Sequence, residues 1–511
     1  MNHIMVVGGG SAGWMTAATL ARCFPNKKIS LIESSNISTV GVGESTLGQI
    51  RGWTALLGIS DKDFVPFTDA SYKLSIKFTD FYKKGQSFHY PFGKPNTEKN
   101  VAETNDWWMK KAYKPETPNT DYADCIYPQM ALVNENKLFF NKDNKLPFNF
   151  YTDTAFHFDA TKFGLWLRDH YCLPRGVNHI VEDIKSIETD KNGIKTLNKK
   201  YKADLFIDCT GFKSLLLGET LKEEFISFND MLPNNKAWAT KIPYKNKKEE
   251  LQPYTNCTAI ENGWVWNIPL WSRIGTGYVY SDKFVDDETA LKEFKKHLGD
   301  RAPKNKSDYK NIKMRVGIHK RLWVKNVAAI GLSAGFIEPL ESNGLFSVHE
   351  FLIELVRNLR RGKVSQWDRD NFTYTCRQTF QNFAEFVMQH YSLSHRDDTE
   401  YWRHNLNKEW SKDVTERRPT LSDGIFTTIK TRNFDYYLDK ESGISCIAAG
   451  MNWANTDLPT LIKGNAINDK NYWKNRFEKV IKNLERKKNK WQSAVKKAPK
   501  LYKFLQTNYY K

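Results

Sequence analysis

The sequence lacks long apolar runs: no window of its 511 residues approaches the roughly 18 unbroken apolar residues of a membrane span. It also lacks a basic segment ahead of the apolar N-terminus, and glycines and alcohols interrupt that stretch at once. We therefore expect a strand and a helix there rather than a signal peptide. Internal repeats and long low-complexity linkers are absent as well. These absences argue against a membrane protein and against domains tethered by a linker.

Cysteine is scarce, with seven scattered residues, an odd number, and none of them in a CxxC pair. This pattern argues for a reducing compartment and against a zinc site or a disulfide framework. His390, His395 and His404 have neither helical ligand spacing nor cysteine partners. We therefore expect a cytoplasmic protein that binds no metal.

Acidic residues are outnumbered by basic ones, 58 against 77, which gives a formal net charge of +19. Such a charge invites comparison with nucleic-acid-binding proteins, whose mark is a basic groove with interleaved aromatic residues and salt-dependent binding. Here the excess is concentrated in residues 470–511, where apolar residues recur at helical spacing. That pattern predicts an amphipathic helix with a solvated lysine face. Nothing else in the chain requires nucleic acid, so we expect no such partner.

Three strand-like segments run into turns that contain glycine: Ile4–Val7, Asp204–Asp208 and Val327–Ile330. Their wide spacing predicts a cofactor sheet assembled from discontinuous segments, with substrate structure inserted between them. Beyond Glu338 the apolar pattern becomes mostly helical. The chain is longer than a usual single core, so we expect one elaborated unit or two domains. We predict a cofactor-binding core over residues 1–405 and a mainly helical part over residues 406–511 that completes the substrate pocket.

The first of these turns has the spacing G-x-G-x-x-G, made by Gly8, Gly10 and Gly13 around Ser11 and Ala12. Glycines there permit a tight turn and close approach of a pyrophosphate, whose charge the helix N-terminus stabilises. Glu33 closes the second strand, where a carboxylate can bind a ribose hydroxyl. The motif predicts dinucleotide binding, but it does not by itself decide between NAD and FAD.

The segment from Asp204 to Gly211 favours FAD, because it resembles the second FAD motif of glutathione-reductase-like folds. This resemblance predicts an α/β fold with an FAD-binding, Rossmann-like core of the glutathione-reductase type. The inserted substrate sheet and the helical C-terminal part would complete it.

Three further motifs occur in order along the chain. Lys73–Phe78 reads K-x-x-x-K-F, Trp264–Pro269 reads W-x-W-x-I-P, and Gly335–Gly344 reads G-F-x-E-P-L-E-S-N-G. Each alone is ordinary, since lysines are usually solvated and paired tryptophans are usually core. Together, after a flavin motif, they resemble the flavin-dependent halogenases of the tryptophan halogenase family. The resemblance covers residues 3–405 well and the remainder loosely.

The resemblance implies an enzyme that uses FAD, as FADH2, with O₂ and a halide ion to form hypohalous acid. A separate NAD(P)H-dependent flavin reductase would supply the reduced flavin, since no second dinucleotide domain is evident. Lys77 would hydrogen-bond the hypohalous acid, or carry its halogen as a haloamine, towards a small aromatic substrate. Glu341 would stabilise the cationic ring intermediate or accept its proton.

The same resemblance implies the remaining site residues. Asn343 and Gly344 would hold the halide through backbone N–H groups. Trp264 and Trp266 would shield the flavin from the substrate, and the loop with Gly43 would lie along the flavin. Other residues would contact the flavin (Glu44, Gly331, Leu340) or the substrate (Phe92, Tyr90, Ser342).

The chain also departs from the family pattern. Tyr90 stands where tryptophan-specific members have a stacking histidine, and His89 is one residue out of register. A loose C-terminal alignment puts Ile425 and Phe426 at carboxylate-binding tyrosines and Arg432 near an amine-binding glutamate. Since arginine does not bind an ammonium group favourably, we expect an indole-like or larger aromatic substrate rather than free tryptophan.

Asn343 replaces the family's threonine at the halide site, which leaves chloride, bromide and iodide open. The lysine- and asparagine-rich composition resembles that of bacterial or phage-borne halogenases, iodinating ones included. The main alternative is a flavin-dependent aromatic monooxygenase on the same fold, which would need an open cavity over the flavin and no use for Lys77. The sequence leaves open whether the chain forms a homo-oligomer.

Overall fold

The computed structural model describes residues 1–36, 43–96, 105–408, 410, 443–452 and 469–511. Its strands, numbered along the chain, are β1 (His3–Val7), β2 (Lys28–Glu33), β3 (Glu44–Ser45), β4 (Ser71–Lys73), β5 (Ser75–Thr79), β6 (Ser87–Pro91), β7 (Ala155–Phe158), β8 (Asn178–Val181), β9 (Ile187–Asp190), β10 (Gly193–Leu197), β11 (Leu205–Asp208), β12 (Phe225–Ser227), β13 (Lys236–Ile242), β14 (Tyr254–Ile260), β15 (Gly263–Pro269), β16 (Ile274–Tyr280), β17 (Lys310–Lys313), β18 (Gly317–His319), β19 (Trp323–Val324), β20 (Val327–Ala329) and β21 (Gly335–Phe336).

The α-helices of the described residues are numbered in the same way. They are α1 (Ser11–Cys23), α2 (Ile50–Leu57), α3 (Asp61–Phe64), α4 (Asn105–Tyr113), α5 (Asp121–Ile126), α6 (Met130–Asn134), α7 (Ala160–Trp166), α8 (Lys247–Glu250), α9 (Asp287–Leu298), α10 (Gly344–Leu359), α11 (Gln366–Ser392), α12 (Glu400–Asn407), α13 (Gly443–Gly450), α14 (Lys470–Ala494) and α15 (Leu501–Asn508). None of them is long and apolar enough to cross a membrane.

The chain divides into two compact units, each built from separate segments. The first comprises residues 1–71, 156–243 and 270–384, and the second comprises residues 72–155, 244–269 and 385–511. The second unit therefore gathers residues from both sides of position 405. The division into 1–405 and 406–511 stays a prediction.

The centre of the first unit is a six-stranded sheet in the order β19-β20-β11-β1-β2-β8. The strands from β20 to β8 are parallel, and only β19 runs antiparallel at one edge. Its central strands β1 and β11 read as nearly continuous buried apolar runs, as parallel strands covered on both faces do. Helix α1 connects β1 to β2, and its residues 13–20 are all buried. The predicted α/β class with a Rossmann-like core is confirmed.

Further sets of paired strands complete the first unit. They are an antiparallel set in the order β12-β18-β21, three antiparallel strands in the order β17-β13-β16, the β9–β10 hairpin and the short β3–β7 pair. Helix α10 packs against α1, and both carry buried apolar faces.

The second unit combines four sheet strands, in the order β15-β14-β5-β6, with most of the C-terminal helices. Strand β14 pairs antiparallel with β15 and parallel with β5, and β5 and β6 form a hairpin. Helix α14 is the predicted amphipathic helix of the basic C-terminal region. Its Trp473 and Phe477 are buried against Met109 and Tyr113 of α4.

All seven cysteines are free thiols. Burial raises the pKa of several of them, to about 12 for Cys172 and Cys209. A thiol with so high a pKa is protonated and unreactive at neutral pH. The six buried cysteines therefore act as small apolar core residues, whereas Cys23 is partly exposed.

Candidate active site

The turn between β1 and α1 is shaped by glycines that leave no room for a side chain. Gly8 has φ +109°, and a Cβ atom on it would lie 2.3 Å from the carbonyl oxygen of Cys209. A Cβ atom on Gly13 would lie 1.8 Å from the carbonyl oxygen of Gly8. Gly10 caps α1 without a side-chain hydrogen bond, and the first turn carries no acidic residue. The free N–H groups of this helix start fit an anionic pyrophosphate.

The remaining predicted residues of this turn lie close by in the first unit. Ser11 and Ala12 open α1, and the hydroxyl of Ser11 donates to the carbonyl oxygen of Ala160. A Cβ atom on Gly9 would lie 1.5 Å from Oε2 of Glu33, so the carboxylate at the end of β2 lies directly against the turn. Its Oε1 lies 2.6 Å from Nε2 of His179 on β8.

The carboxyl end of β11 is held by Asp208. Its carboxylate accepts hydrogen bonds from the N–H and hydroxyl of Thr210 and from the N–H groups of Leu216 and Leu217, at 2.6 to 3.0 Å. This side chain therefore organises the turn through Gly211 at the same edge of the sheet as the β1–α1 turn. Gly331, after β20, has φ +72°, and a Cβ atom on it would lie 2.8 Å from that of Ala12. Parallel order brings all three predicted turns to one edge, as expected of a cofactor crevice.

The segment that leads into α10 contains the predicted halide and carboxylate residues. Leu340 and Glu341 lie in a single 3-10 turn and are fully buried. Ser342 follows in the left-handed region, at φ 61°, and its hydroxyl lies 3.1 Å from that of Ser45. This conformation is costly for a residue other than glycine and is typical of functional sites. It turns the chain so that α10 begins immediately afterwards, at Gly344.

Glu44 approaches the start of α10. Its Oε2 would lie 3.1 Å from a Cβ atom on Gly344. Burial alone raises the pKa of Glu44 from 4.5 to about 7. Asn343 caps α10 without a side-chain hydrogen bond to the helix, and its amide donates to the carbonyl oxygen of Ile337 at 3.2 Å. The 16-residue helix has no acidic residue in its first turn, so its N–H groups favour an anion.

Lys77 belongs to the second unit, on β5. Strand pairing places it opposite His89 of β6 and opposite Asn256 of β14. Its ammonium nitrogen lies 6.0 Å from the ring centroid of Tyr254. Within the part of the chain that the structure describes, the Lys77 side chain has no ion pair and no hydrogen bond. The ammonium group is thus positioned on the sheet without being committed to a carboxylate.

His89 is a residue that motif comparison set aside as out of register. Its Nδ1 lies 3.0 Å from the hydroxyl of Ser75, and its ring packs edge-on against Tyr254 at 5.2 Å between centroids. Burial, with a smaller contribution from the positive charge of Lys77, lowers the pKa of His89 from 6.5 to about 3. The imidazole is therefore neutral at physiological pH. The signal that finds it is the strand register, because cross-strand partners face the same side of a sheet.

The aromatic residues singled out by the sequence lie on the opposite face of this sheet. Trp266 pairs with Cys257, which pairs with Phe78, so Trp264 and Trp266 point away from the Lys77 side. Both tryptophans are buried, with ring centroids 6.2 Å apart. Tyr90 shares their face and packs edge-on against Phe386, at 6.0 Å.

Phe92 lies just beyond β6. It is buried, and the ammonium of Lys73 lies 4.8 Å from its ring centroid. Gly43 precedes β3 with φ +93°. The C-terminal substrate residues Ile425, Phe426 and Arg432 lie outside the described residues. Their roles remain predictions.

Known proteins are similar to this chain over most of its length. The profile of the tryptophan halogenase family matches residues 3–460. The 7-chloro-L-tryptophan 6-halogenase KtzR of Kutzneria sp. (strain 744) is 33% identical over 443 residues, covering 81% of this chain and 84% of that protein.

Solved structures are similar over the whole chain. The apo structure of VirX1 matches with a TM-score of 0.88 and 39% identity, covering 100% of both chains. BrvH, a flavin-dependent halogenase from Brevundimonas sp. BAL3, matches with a TM-score of 0.84 and 28% identity, covering 99% of both chains. The chain therefore belongs to the tryptophan halogenase family and is a flavin-dependent halogenase.

Proposed function

We propose that this enzyme halogenates an electron-rich, indole-like aromatic substrate other than free tryptophan, with Lys77 delivering the halogen. The observation that carries the proposal is the position of Lys77 on a sheet face, beside Tyr254 and without an ion pair among the described residues. A lysine paired with a carboxylate would direct its N–H donors to that partner, whereas this ammonium can donate hydrogen bonds to hypohalous acid. After losing a proton, the Lys77 side chain is an amine, which could instead carry the halogen as a haloamine.

We propose FAD as the flavin and the turn of Gly8, Gly10, Ser11, Ala12 and Gly13 as its pyrophosphate site. The glycine backbone and the uncapped start of α1 support this assignment. Glu33, Gly43, Glu44, Gly331 and Leu340 would complete the flavin site. When FAD is bound and reduced, its reaction with O₂ would provide the oxidising power that converts halide to hypohalous acid. A separate NAD(P)H-dependent reductase would supply the reduced flavin.

The halide would be held by the backbone N–H groups of Asn343 and Gly344 at the start of α10. The left-handed Ser342 fixes that helix start, and its contact with Ser45 ties it to the β3 segment. Glu341 is fully buried, which favours a role as acceptor of the proton that the aromatic ring loses. Trp264 and Trp266 would shield the flavin, while Phe92, Tyr90 and Ser342 would contact the substrate.

The experiment compares Lys77→Ala with the wild type in the presence of FAD, a flavin reductase and halide. Two products are measured: ring-halogenated indole, and total hypohalous acid captured by monochlorodimedone. The variant should still form hypohalous acid and should lose ring halogenation, because the ammonium group acts only after the oxidant has formed. Retained, regioselective ring halogenation would show that Lys77 does not deliver the halogen. Absence of both products in the wild type would refute the proposed function as a whole.

A further inference from the structure

The carboxylate that ends β2 is held on one side by a histidine of the neighbouring strand. Register pairs His179 of β8 with Leu31 of β2, and Nε2 of His179 lies 2.6 Å from Oε1 of Glu33. An ionised carboxylate has only hydrogen-bond acceptors, so the shared hydrogen belongs to Nε2 and His179 is the donor. The side chains of His179 and Glu33 are only 18% and 20% exposed, which largely shields this hydrogen bond from water.

The imidazole is itself fixed in place. Trp14 of α1 is buried, and its ring packs edge-on against the His179 ring with 5.1 Å between centroids. The charged neighbours of the pair, Arg168 and Asp169, are bonded to each other at 2.6 Å rather than to Glu33 or His179. His179 is therefore a rigid donor whose hydrogen bond is directed at one oxygen of Glu33.

The other oxygen of this carboxylate faces the glycine turn. A Cβ atom on Gly9 would lie 1.5 Å from Oε2 of Glu33, so the carboxylate occupies the space that a side chain at that position would fill. Oε2 accepts no hydrogen bond from any residue that the structure describes. Because His179 occupies Oε1, Oε2 is the acceptor that Glu33 presents beside the proposed pyrophosphate site.

In dinucleotide-binding βαβ units, an acidic residue at the end of the second strand accepts a hydrogen bond from the ribose 2′-hydroxyl. We propose that His179 is a positioning residue that orients Glu33, so that Oε2 alone accepts the 2′-hydroxyl of the adenosine ribose of FAD. The inference rests on the proposed FAD site and adds the residue that directs its carboxylate. A glutamate side chain is rich in rotamers, and fixing it before the cofactor arrives removes an ordering cost from binding.

A carboxylate held at one oxygen offers a single contact to the ribose. A freely rotating glutamate could accept hydrogen bonds from both ribose hydroxyls through its two oxygens. With Oε1 of Glu33 committed to His179, only the 2′-hydroxyl has an acceptor. FAD that lacks the adenosine 2′-hydroxyl should therefore bind about tenfold more weakly than FAD, and FAD that lacks the 3′-hydroxyl should bind within about twofold of FAD.

The first test measures dissociation constants of the flavin-free protein by flavin fluorescence. His179→Phe keeps an aromatic ring beside Trp14 and removes the donor, so the Kd for FAD should rise about tenfold. The Kd for FAD without the 2′-hydroxyl should change less than about twofold, because that ligand lacks the contact that His179 supports. His179→Gln supplies an amide donor and should restore most of the affinity for FAD. His170→Phe is the matched control at an exposed histidine of the same unit, and it should change neither Kd.

Equal losses of affinity for the two flavins in His179→Phe would overturn the proposal, because a structural defect weakens every ligand of the site. Unchanged affinity for FAD in that variant would overturn it as well, and the FAD site would still stand. Wild-type protein that binds no FAD would instead refute the FAD site itself.

A second measurement is independent of how His179→Phe folds. Spectra of ¹⁵N-histidine-labelled, flavin-free protein, with the His179 signals identified through His179→Gln, report which ring nitrogen carries the hydrogen. We expect a protonated Nε2 in the wild type. An unprotonated Nε2 would overturn the proposal, because that nitrogen could not donate to Glu33.

Discussion

Replacing Glu44 with glutamine should stabilise the protein at pH 8 far more than at pH 5. Burial raises the pKa of this carboxyl from 4.5 to about 7 in the folded state. The pKa of Glu44 is higher in the folded state than in the unfolded state. The contribution of protonated Glu44 to the free energy of unfolding is therefore fully present below pH 4.5 and is lost as the pH rises through 7. At about 1.36 kcal/mol per pH unit, the ionised carboxylate then costs at most about 3 kcal/mol. Glutamine avoids that cost because it does not ionise.

The measurement is urea unfolding of the flavin-free protein at pH 5 and pH 8. The variant should gain up to about 3 kcal/mol in its first unfolding transition at pH 8, and less than about 1 kcal/mol at pH 5. Glu116→Gln, at an exposed glutamate, is the control and should show no comparable dependence on pH. An equal gain at both pH values would refute the reasoning, because it would come from packing rather than from ionisation.

The same residue should make halide use depend on pH. Oε2 of Glu44 lies beside Gly344, where we propose that the halide binds. An ionised carboxylate there repels a halide, so the KM for halide should rise about tenfold per pH unit above pH 7. Glu44→Gln should flatten this profile. A wild-type profile that stays flat up to pH 9 would remove Glu44 from the halide site.

Three further predictions concern the cofactor turn, the β11 turn and the substrate. Gly13→Ala should abolish FAD binding in a fluorescence titration, because its Cβ atom would lie 1.8 Å from a backbone oxygen; wild-type affinity would contradict the assignment. Asp208→Asn should lower the free energy of unfolding by about 3 kcal/mol in urea, since the carboxylate accepts four hydrogen bonds; a loss below about 0.5 kcal/mol would show that the turn is held by other groups. Indole should be used with a kcat/KM at least about tenfold above that of L-tryptophan, because the residue types aligned with the clamp, Ile425, Phe426 and Arg432, include neither two hydroxyl donors nor a carboxylate. A preference for tryptophan would place the amino-acid clamp elsewhere.

The cofactor sheet was largely predictable from sequence because its signals are local. Three apolar runs that end in glycine turns correspond to β1, β11 and β20, and each predicted boundary lies within one residue of the structure. A buried parallel strand has this continuous apolar pattern whatever its neighbours. Helix α1 and the amphipathic α14 were predictable for the same reason, since their apolar spacing depends only on helical geometry.

The division of the chain into two units could not be predicted from local apolar patterns. Each unit is assembled from three segments, and only long-range pairing joins them. Strand β14 lies beside β5 in parallel, although residues 80–253 separate the two strands in sequence. Glu44 reaches the start of α10 through a similar long-range contact. Local patterns carry no information about such pairings, so the approach of Glu44 to Gly344 emerged only from the structure.

Strand periodicity determines which face of the sheet each motif residue of this region occupies, His89 included. W-x-W has the period of a strand, so both tryptophans necessarily share one face, and the pleat then assigns Phe78, Phe88 and Tyr90 to that side. Lys77 lies between Ile76 and Phe78 and must therefore point the other way. The partners of Lys77 are then fixed by register, and His89 is the residue that register supplies. Successive residues of a strand face opposite sides of the sheet, so a histidine at position 89 instead of 90 lies on the opposite face. Its neighbour there is Lys77, whereas Tyr90 lies on the face of Trp264 and Trp266.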